Sequence, residues 1–321
     1  HTVSMKLAGV NKLIATNGRA GIAVPHGGSL IITNAVGAVG SLEAVAGDNA
    51  AGIGSCYDYD ANSGITAGSV TIRGGTVTAI GKGCGAGIGG CGNGSGGAVT
   101  ITGGEVIASG AEGGAGIGGG SGASGGIVTI TGGPITACGS SNDHGDKIGA
   151  GIGGGANGGD NRVYISGGSV KAVAGSDSLD GIGPGSGSES YGSLTDNALN
   201  KVFLVLFPYA SPFTVAGGYS YKGPGHYDDP YLYFYLPAGT YSYLDSLGTS
   251  YSVTVNENGT YTVTQSIVSI SITAMDPIRW APTSIPESSV TIEYCTDLVG
   301  GSWTTTKPVN APRLFIRLRA K

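Results

Sequence analysis

One four-residue phrase, Ala-Gly-Ile-Gly or a close variant, recurs along the first 190 residues of the chain. Its copies lie 29 to 35 residues apart, and they begin at Ala20, Ala51, Ala86, Ala115, Ala150 and, with Asp in place of Ala, at Asp180. Repeats of this length are typical of stacked architectures, in which each unit covers the apolar side of its neighbour. We therefore expect one repetitive domain over residues 1–190.

Two further phrases lie between these copies, and both alternate apolar with polar residues. The first reads Val-Thr-Ile-x-Gly-Gly in its clearest copies, and the second is Val-x-Ala or a close variant. Copies of the first phrase begin at Val70, Val99, Val128 and Val163. Copies of the second begin at Val77, Val106, Ile135 and Val170. A period of two indicates strands, which stacking in parallel would arrange with Val, Ile and Ala inward. We predict an all-β fold with a right-handed parallel β-helix of about six coils, each of about 29 residues.

Two coils are longer than the others, and each carries an extra loop. The first loop contains Asp58, Asp60 and Asn62, an alternation of oxygen donors that is typical of calcium loops. It lacks the glycine and the carboxylate that an EF-hand has at its sixth and twelfth positions, where this chain has Ser63 and Ser69. Calcium binding and an ordinary solvated turn are both consistent with this pattern, and the sequence predicts no other cofactor.

The second loop combines a histidine with acidic and basic residues. It contains Asp143, His144 and Asp146, and Asp160 and Arg162 follow in the next coil. Such a set could provide a general acid and a general base, or ligands for a metal ion. Polar corner loops are also common in β-helices without any catalytic role. The sequence leaves enzymatic activity uncertain and favours a non-enzymatic protein.

The composition limits the partners and the compartment of the chain. Its net charge is −5 with 12% charged residues, so no basic stripe for nucleic acid is present. No apolar run approaches the ~18 residues that cross a bilayer. Cys56 and Cys91 each follow the first residue of their tetrad by five positions, which would place them about 5 Å apart in neighbouring coils. We predict a disulfide between them, in an extracellular or cell-surface protein.

The composition changes after Gly183, and two small antiparallel β domains are expected at residues 191–264 and 265–321. The first holds most of the tyrosines, and Tyr231, Tyr233 and Tyr235 share one face of a predicted strand. That face could stack on sugars, or it could pack on the β-helix or on another subunit. The second is predicted to be a compact β-sandwich module.

Two segments resemble known protein families. The phrases VTITGG and GAGIGGG are similar to the Gly-rich β-helix repeats of large bacterial surface proteins, which are often described as carbohydrate-binding-like. The C-terminal segments EYCTDLVGGSWTTT and RLFIRLRAK resemble the closing β module of secreted proteins from Verrucomicrobia and their relatives. These resemblances imply a secreted bacterial β-helix protein.

Two functions remain open at this point. The segment Thr2–Leu13 reads as a strand with no helix to cap the first coil, and an uncapped β-helix end invites another strand. Head-to-tail contact of that kind does not close, so it would build a homopolymer. We therefore expect a structural subunit of a bacterial filament or surface layer that associates through the β-helix ends and the C-terminal domains. The alternative is a secreted protein that binds or cleaves a polysaccharide.

Overall fold

The computed structural model shows an all-β protein whose larger part is a right-handed parallel β-helix of about six coils. It describes residues 1–60, 63–159, 161–190, 192–208, 213–215, 220–221, 231–244, 250–265, 290–295 and 315–320. Each coil contributes one strand to each of three parallel sheets, here called A, B and C. Strands are numbered along the chain.

The three sheets account for most of the strands. Sheet A contains β1 (Thr2–Leu7), β4 (Ser29–Asn34), β9 (Ser69–Ile72), β12 (Ala98–Ile101), β15 (Ile127–Ile130), β18 (Arg162–Ile165) and β21 (Ser193–Thr195). Sheet B contains β2 (Gly9–Ile14), β5 (Gly40–Val45), β10 (Thr76–Ile80), β13 (Glu105–Ser109), β16 (Pro134–Cys138) and β19 (Ser169–Val173). Sheet C contains β3 (Ile22–Ala23), β6 (Ile53–Gly54), β11 (Ile88–Gly89), β14 (Ile117–Gly118), β17 (Ile152–Gly153) and β20 (Ile182–Gly183).

The register of the sheets stacks like residues on like, as predicted. In sheet C every neighbouring pair places isoleucine beside isoleucine, from Ile22 on Ile53 to Ile152 on Ile182. In sheet A the ladder runs through Ile72, Ile101, Ile130 and Ile165. Central members of both ladders are fully buried, and together they form one continuous core. Burial of these side chains is the main source of stability for the coils.

The first coil differs from the prediction of a single strand over Thr2–Leu13. The chain turns at Ala8, so β1 belongs to sheet A and β2 to sheet B. Gly9 makes this turn with a φ of 62° and pairs with Gly40. A positive φ of this kind is adopted most readily by glycine. The first coil therefore has the same three-sided outline as the later ones.

The Tyr-rich segment forms antiparallel sheets that cover the C-terminal end of the β-helix. One sheet pairs β22 (Val202–Pro208) with β25 (Tyr231–Pro237). The other contains β23 (Phe213–Val215), β24 (Ser220–Tyr221), β26 (Gly239–Leu244), β27 (Ser250–Val255) and β28 (Tyr261–Gln265). We call the sheet pair β22–β25 together with β26, β27 and β28 the cap. Its own core contains Val205, Phe207, Leu232, Phe234, Leu236, Val253 and Val255.

The remaining described strands are short pairs. Within the predicted C-terminal module, β29 (Val290–Cys295) and β30 (Phe315–Ala320) pair antiparallel. Within the first extra loop, β7 (Tyr57–Asp58) pairs antiparallel with β8 (Ser63–Gly64). Residues 266–289 and 296–314, which make up most of the predicted β-sandwich module, lie outside the described residues. The described residues contain no helix long and apolar enough to cross a membrane.

Candidate functional site

The first extra loop is a hairpin held by local hydrogen bonds. The Asp58 carboxylate accepts a hydrogen bond from the Asp60 N–H at 3.0 Å, which is the geometry of an Asx turn. The Tyr59 hydroxyl donates to the Asp48 carbonyl, and the Tyr57 and Tyr59 rings meet edge to face at 5.1 Å. Asn62 lies outside the described residues. Calcium binding by Asp58, Asp60 and Asn62 stays a prediction.

The second extra loop is organised by a residue that the sequence reasoning did not single out, Asn142. Its side-chain oxygen accepts from the N–H groups of Asp146 and Lys147 at 3.1 Å each, and its amide donates to the Asp146 carboxylate at 2.6 Å. This hydrogen bond from Asn142 is the main cause of the lowered pKa of Asp146. Asp143 and His144 are exposed beside it. The loop therefore has a defined shape that its own hydrogen bonds explain.

The members of the predicted acid–base set do not all belong to one corner of the coil. The loop with His144 connects sheet B to sheet C, whereas Arg162 begins β18 in sheet A. Asp160 lies outside the described residues. Among the residues that the structure describes, no group of three His, Cys, Asp or Glu side chains is placed to hold a metal ion.

The cysteines predicted to form a disulfide are free thiols in the structure. Cys56 and Cys91 lie at equivalent positions of neighbouring coils. The Cys56 sulfur accepts from the Ala20 N–H at 3.3 Å, while the Cys91 thiol is 3.7 Å from the Ile65 carbonyl. Burial raises the pKa of Cys91. The disulfide is therefore not formed in this structure and stays a prediction.

The tyrosine face of β25 packs on the last coil of the β-helix, β18 to β20. Tyr235 is only 8% exposed and belongs to the β-helix core, so its ring is not available to a sugar. The Tyr233 N–H donates to the Ser169 hydroxyl at 3.0 Å, and the Lys171 ammonium lies 5.6 Å from the Tyr233 ring centre. The Tyr231 side chain lies outside the described part of the structure. Two roles were predicted for this face, sugar stacking and packing. Tyr235 has the packing role.

The burial of Tyr235 predicts a loss of stability at high pH. Burial, assisted by the nearby Asp180, raises the pKa of Tyr235 far above its ordinary value near 10. Above pH ~10 the unfolded chain releases this proton and the folded chain keeps it, so the free energy of unfolding falls as pH rises. We expect Tyr235→Phe to lose less stability than the wild type between pH 8 and 10.5 in urea titrations. Equal losses in the two proteins would contradict this assignment.

A groove with aromatic and polar walls lies on the cap. Its volume is about 470 Å³, within the range of small-ligand sites, and Phe203 and Tyr241 form part of its wall. Lys201 and Glu257 also line the groove, and the Lys201 ammonium lies 5.1 Å from the Phe203 ring centre. The Tyr241 hydroxyl donates to the Pro237 carbonyl at 2.8 Å, which fixes the ring. The sequence offered no signal for this groove, because its walls come from separate strands.

The two ends of the β-helix are covered to different extents. In the described part of the chain, β1, β2 and β3 each pair on one side only. Val3 lies in an inward-facing row of sheet A, beside the buried Leu30, yet it is 59% exposed. A cavity of about 420 Å³ opens there, lined by Val3, Met5 and Ile22 among others. At the opposite end, the cap covers the core.

Comparison with known proteins supports the β-helix fold and gives no information about function. Four stretches of the chain match a family model described as beta helix repeat, at residues 70–97, 99–121, 128–156 and 163–188. These stretches correspond to the four coils with the most regular phrases. No curated protein and no solved structure is significantly similar to the chain. The repeats are therefore parallel β-helix repeats, and the likeness of the C-terminal module to secreted proteins stays a prediction.

Proposed function

We propose that this protein is a non-enzymatic structural subunit of an extracellular bacterial filament or surface layer, and that it associates with copies of itself. The observation that carries the proposal is the end formed by the first coil. Among the described residues, this end presents the edges of β1, β2 and β3, each paired on one side only, and an apolar cavity lined by residues of β1, β3 and β4. Unpaired strand edges and exposed apolar area of this kind are what another copy of a β-helix covers when it docks.

The distribution of exposed apolar side chains supports the same proposal. The first two coils expose Val3, Val10, Leu13, Ile14, Val36 and Val39. Val10 and Val36 are almost completely exposed. Along the later coils, by contrast, large apolar side chains mostly face the core. Apolar exposure concentrated at one end of a rod favours association through that end.

The experiment is negative-stain electron microscopy of the chain over a range of concentrations, with and without calcium. Filaments or sheets whose number rises with concentration are expected. Val3→Asn should raise the concentration needed for assembly about tenfold, because burial of a valine contributes about 1.5 kcal/mol. Ile127→Asn is the matched control, since Ile127 is exposed on the flank of sheet A. Isolated monomers at every concentration would overturn the proposal.

The groove on the cap favours a second candidate, a secreted carbohydrate-binding protein. Aromatic faces together with amide and charged groups are the chemistry that recognises sugars. The groove combines Phe203 and Tyr241 with Asn200, Lys201 and Glu257. Binding of wild-type monomers on a glycan array, abolished by Lys201→Ala, would favour this candidate over assembly.

A further inference from the structure

The two ends of the β-helix carry opposite charge. Residues 1–43 contain Lys6, Lys12 and Arg19 and one acidic residue, Glu43, which forms an ion pair with Lys12 at 2.9 Å. Residues 171–201 contain four acidic residues and two basic ones, Lys171 and Lys201, and three of the acids are exposed: Asp177, Asp180 and Glu189. The fourth, Asp196, accepts hydrogen bonds within its own turn. Opposite charges at the two ends disfavour contact between identical ends and favour head-to-tail contact.

Sheet C is open at both of these ends. In the described part of the chain, β3 pairs only with β6 and β20 only with β17. Stacked glycines form one row of sheet C. The glycines of inner coils, such as Gly118, lie against a carbonyl group of the following coil. At Gly183 a Cβ would meet nothing within 4 Å among the described residues, so these residues leave open the space that a following coil would fill.

We propose that β20 of one copy pairs in parallel with β3 of a second copy, and that Asp180 of the first copy forms an ion pair with Arg19 of the second. This inference rests on the proposed function and names the surfaces that associate. Continuing the register of sheet C pairs Ile182 with Ile22, just as Ile152 pairs with Ile182 within one chain. The same register places Asp180 opposite Ala20, directly beside Arg19.

The residue at position 180 is itself unusual for the repeat. The first residue of the tetrad is a buried alanine in every earlier coil, whereas Asp180 in the last coil is exposed. A carboxylate at an exposed edge can either bind a cation on another molecule or block edge-to-edge contact. Arg19 directly precedes Ala20, the residue that the continued register places opposite Asp180, and this position of a cation favours binding.

The cap limits where the second copy can lie. The cap strand β25 covers β19 in sheet B through the hydrogen bond between Tyr233 and Ser169. The contact is therefore confined to the side of sheet C, and successive rods are displaced sideways from a common axis. Because the two surfaces differ, the contact does not close on itself and repeats along a filament.

Charge reversal and restoration test this pairing. Asp180→Lys and Arg19→Asp are each expected to raise the concentration needed for assembly at least tenfold, measured by sedimentation and electron microscopy. The double variant, which exchanges the two charges, is expected to recover most of the loss. Lys82→Asp is the control, since Lys82 is exposed on an inner coil and carries the same charge as Arg19. Circular dichroism checks that each variant folds.

The alternatives have distinct outcomes. If Asp180→Ala promotes assembly, Asp180 blocks the edge, and the inference is overturned. If filaments form and none of the charge variants changes their assembly, the inference fails while the proposed function stands. If the wild type never assembles, the proposed function fails as well. Recovery by the double variant alone supports both.

Discussion

Replacing Gly118 by alanine is expected to destabilise the β-helix by about 2–6 kcal/mol. Gly118 has a φ of 139°, a conformation that costs about 1–3 kcal/mol for a residue with a side chain. Its added Cβ would also overlap the carbonyl oxygen of Gly153 in the next coil. Relieving that overlap separates two coils in the middle of the stack, with a further cost of about 1–3 kcal/mol.

Gly183→Ala is the matched control for this prediction. Gly183 occupies the same row of sheet C with a φ of 156°, but a Cβ added to it would meet no atom of the described residues within 4 Å. Only the conformational cost of about 1–3 kcal/mol should remain there. Urea denaturation followed by circular dichroism gives both free energies of unfolding. Equal losses at the two positions would show that contact between coils does not explain the glycine.

The repeats made the coils of this protein predictable. Copies of one phrase can stack with isoleucine on isoleucine in one register only, since a slip of one residue would turn every apolar side chain outward. The exception was the first coil, where apolar residues continue across Ala8 and Gly9. Gly9 pairs with Gly40, and the Gly40 carbonyl in turn lies against Gly75 at the corner of the next coil. This correspondence between glycines was the available signal for the turn.

The candidate sites were less predictable, because they depend on contacts between distant segments. Alternation placed Tyr233 and Tyr235 on one face of a strand, but not against Ser169, which is 64 residues away from Tyr233. The charged residues of the second extra loop were visible in the sequence. The role of Asn142 was not, because it depends on the turn that brings its side chain back to the backbone of Asp146.

Replacing Phe234 by alanine is expected to unfold the cap and leave the central coils folded. Phe234 is fully buried, and its ring meets Phe207 edge to face at 5.0 Å. Removing a buried phenylalanine costs about 3–5 kcal/mol. The core around Phe234 is distinct from the β-helix core, to which the cap contributes Val202 and Tyr235. The loss should therefore be concentrated in the cap.

Hydrogen exchange followed by mass spectrometry can locate this loss. In Phe234→Ala, peptides from β22, β25, β27 and β28 should exchange faster than in the wild type, whereas peptides from β12 to β15 should keep their protection. Leu204→Ala is the control on β22, because Leu204 is 39% exposed and should have little effect. If protection falls equally throughout the coils, the cap and the β-helix unfold as one unit. Faster exchange in β19 alone among the coils would instead show that the cap protects the end of sheet B, as the contact between Tyr233 and Ser169 implies.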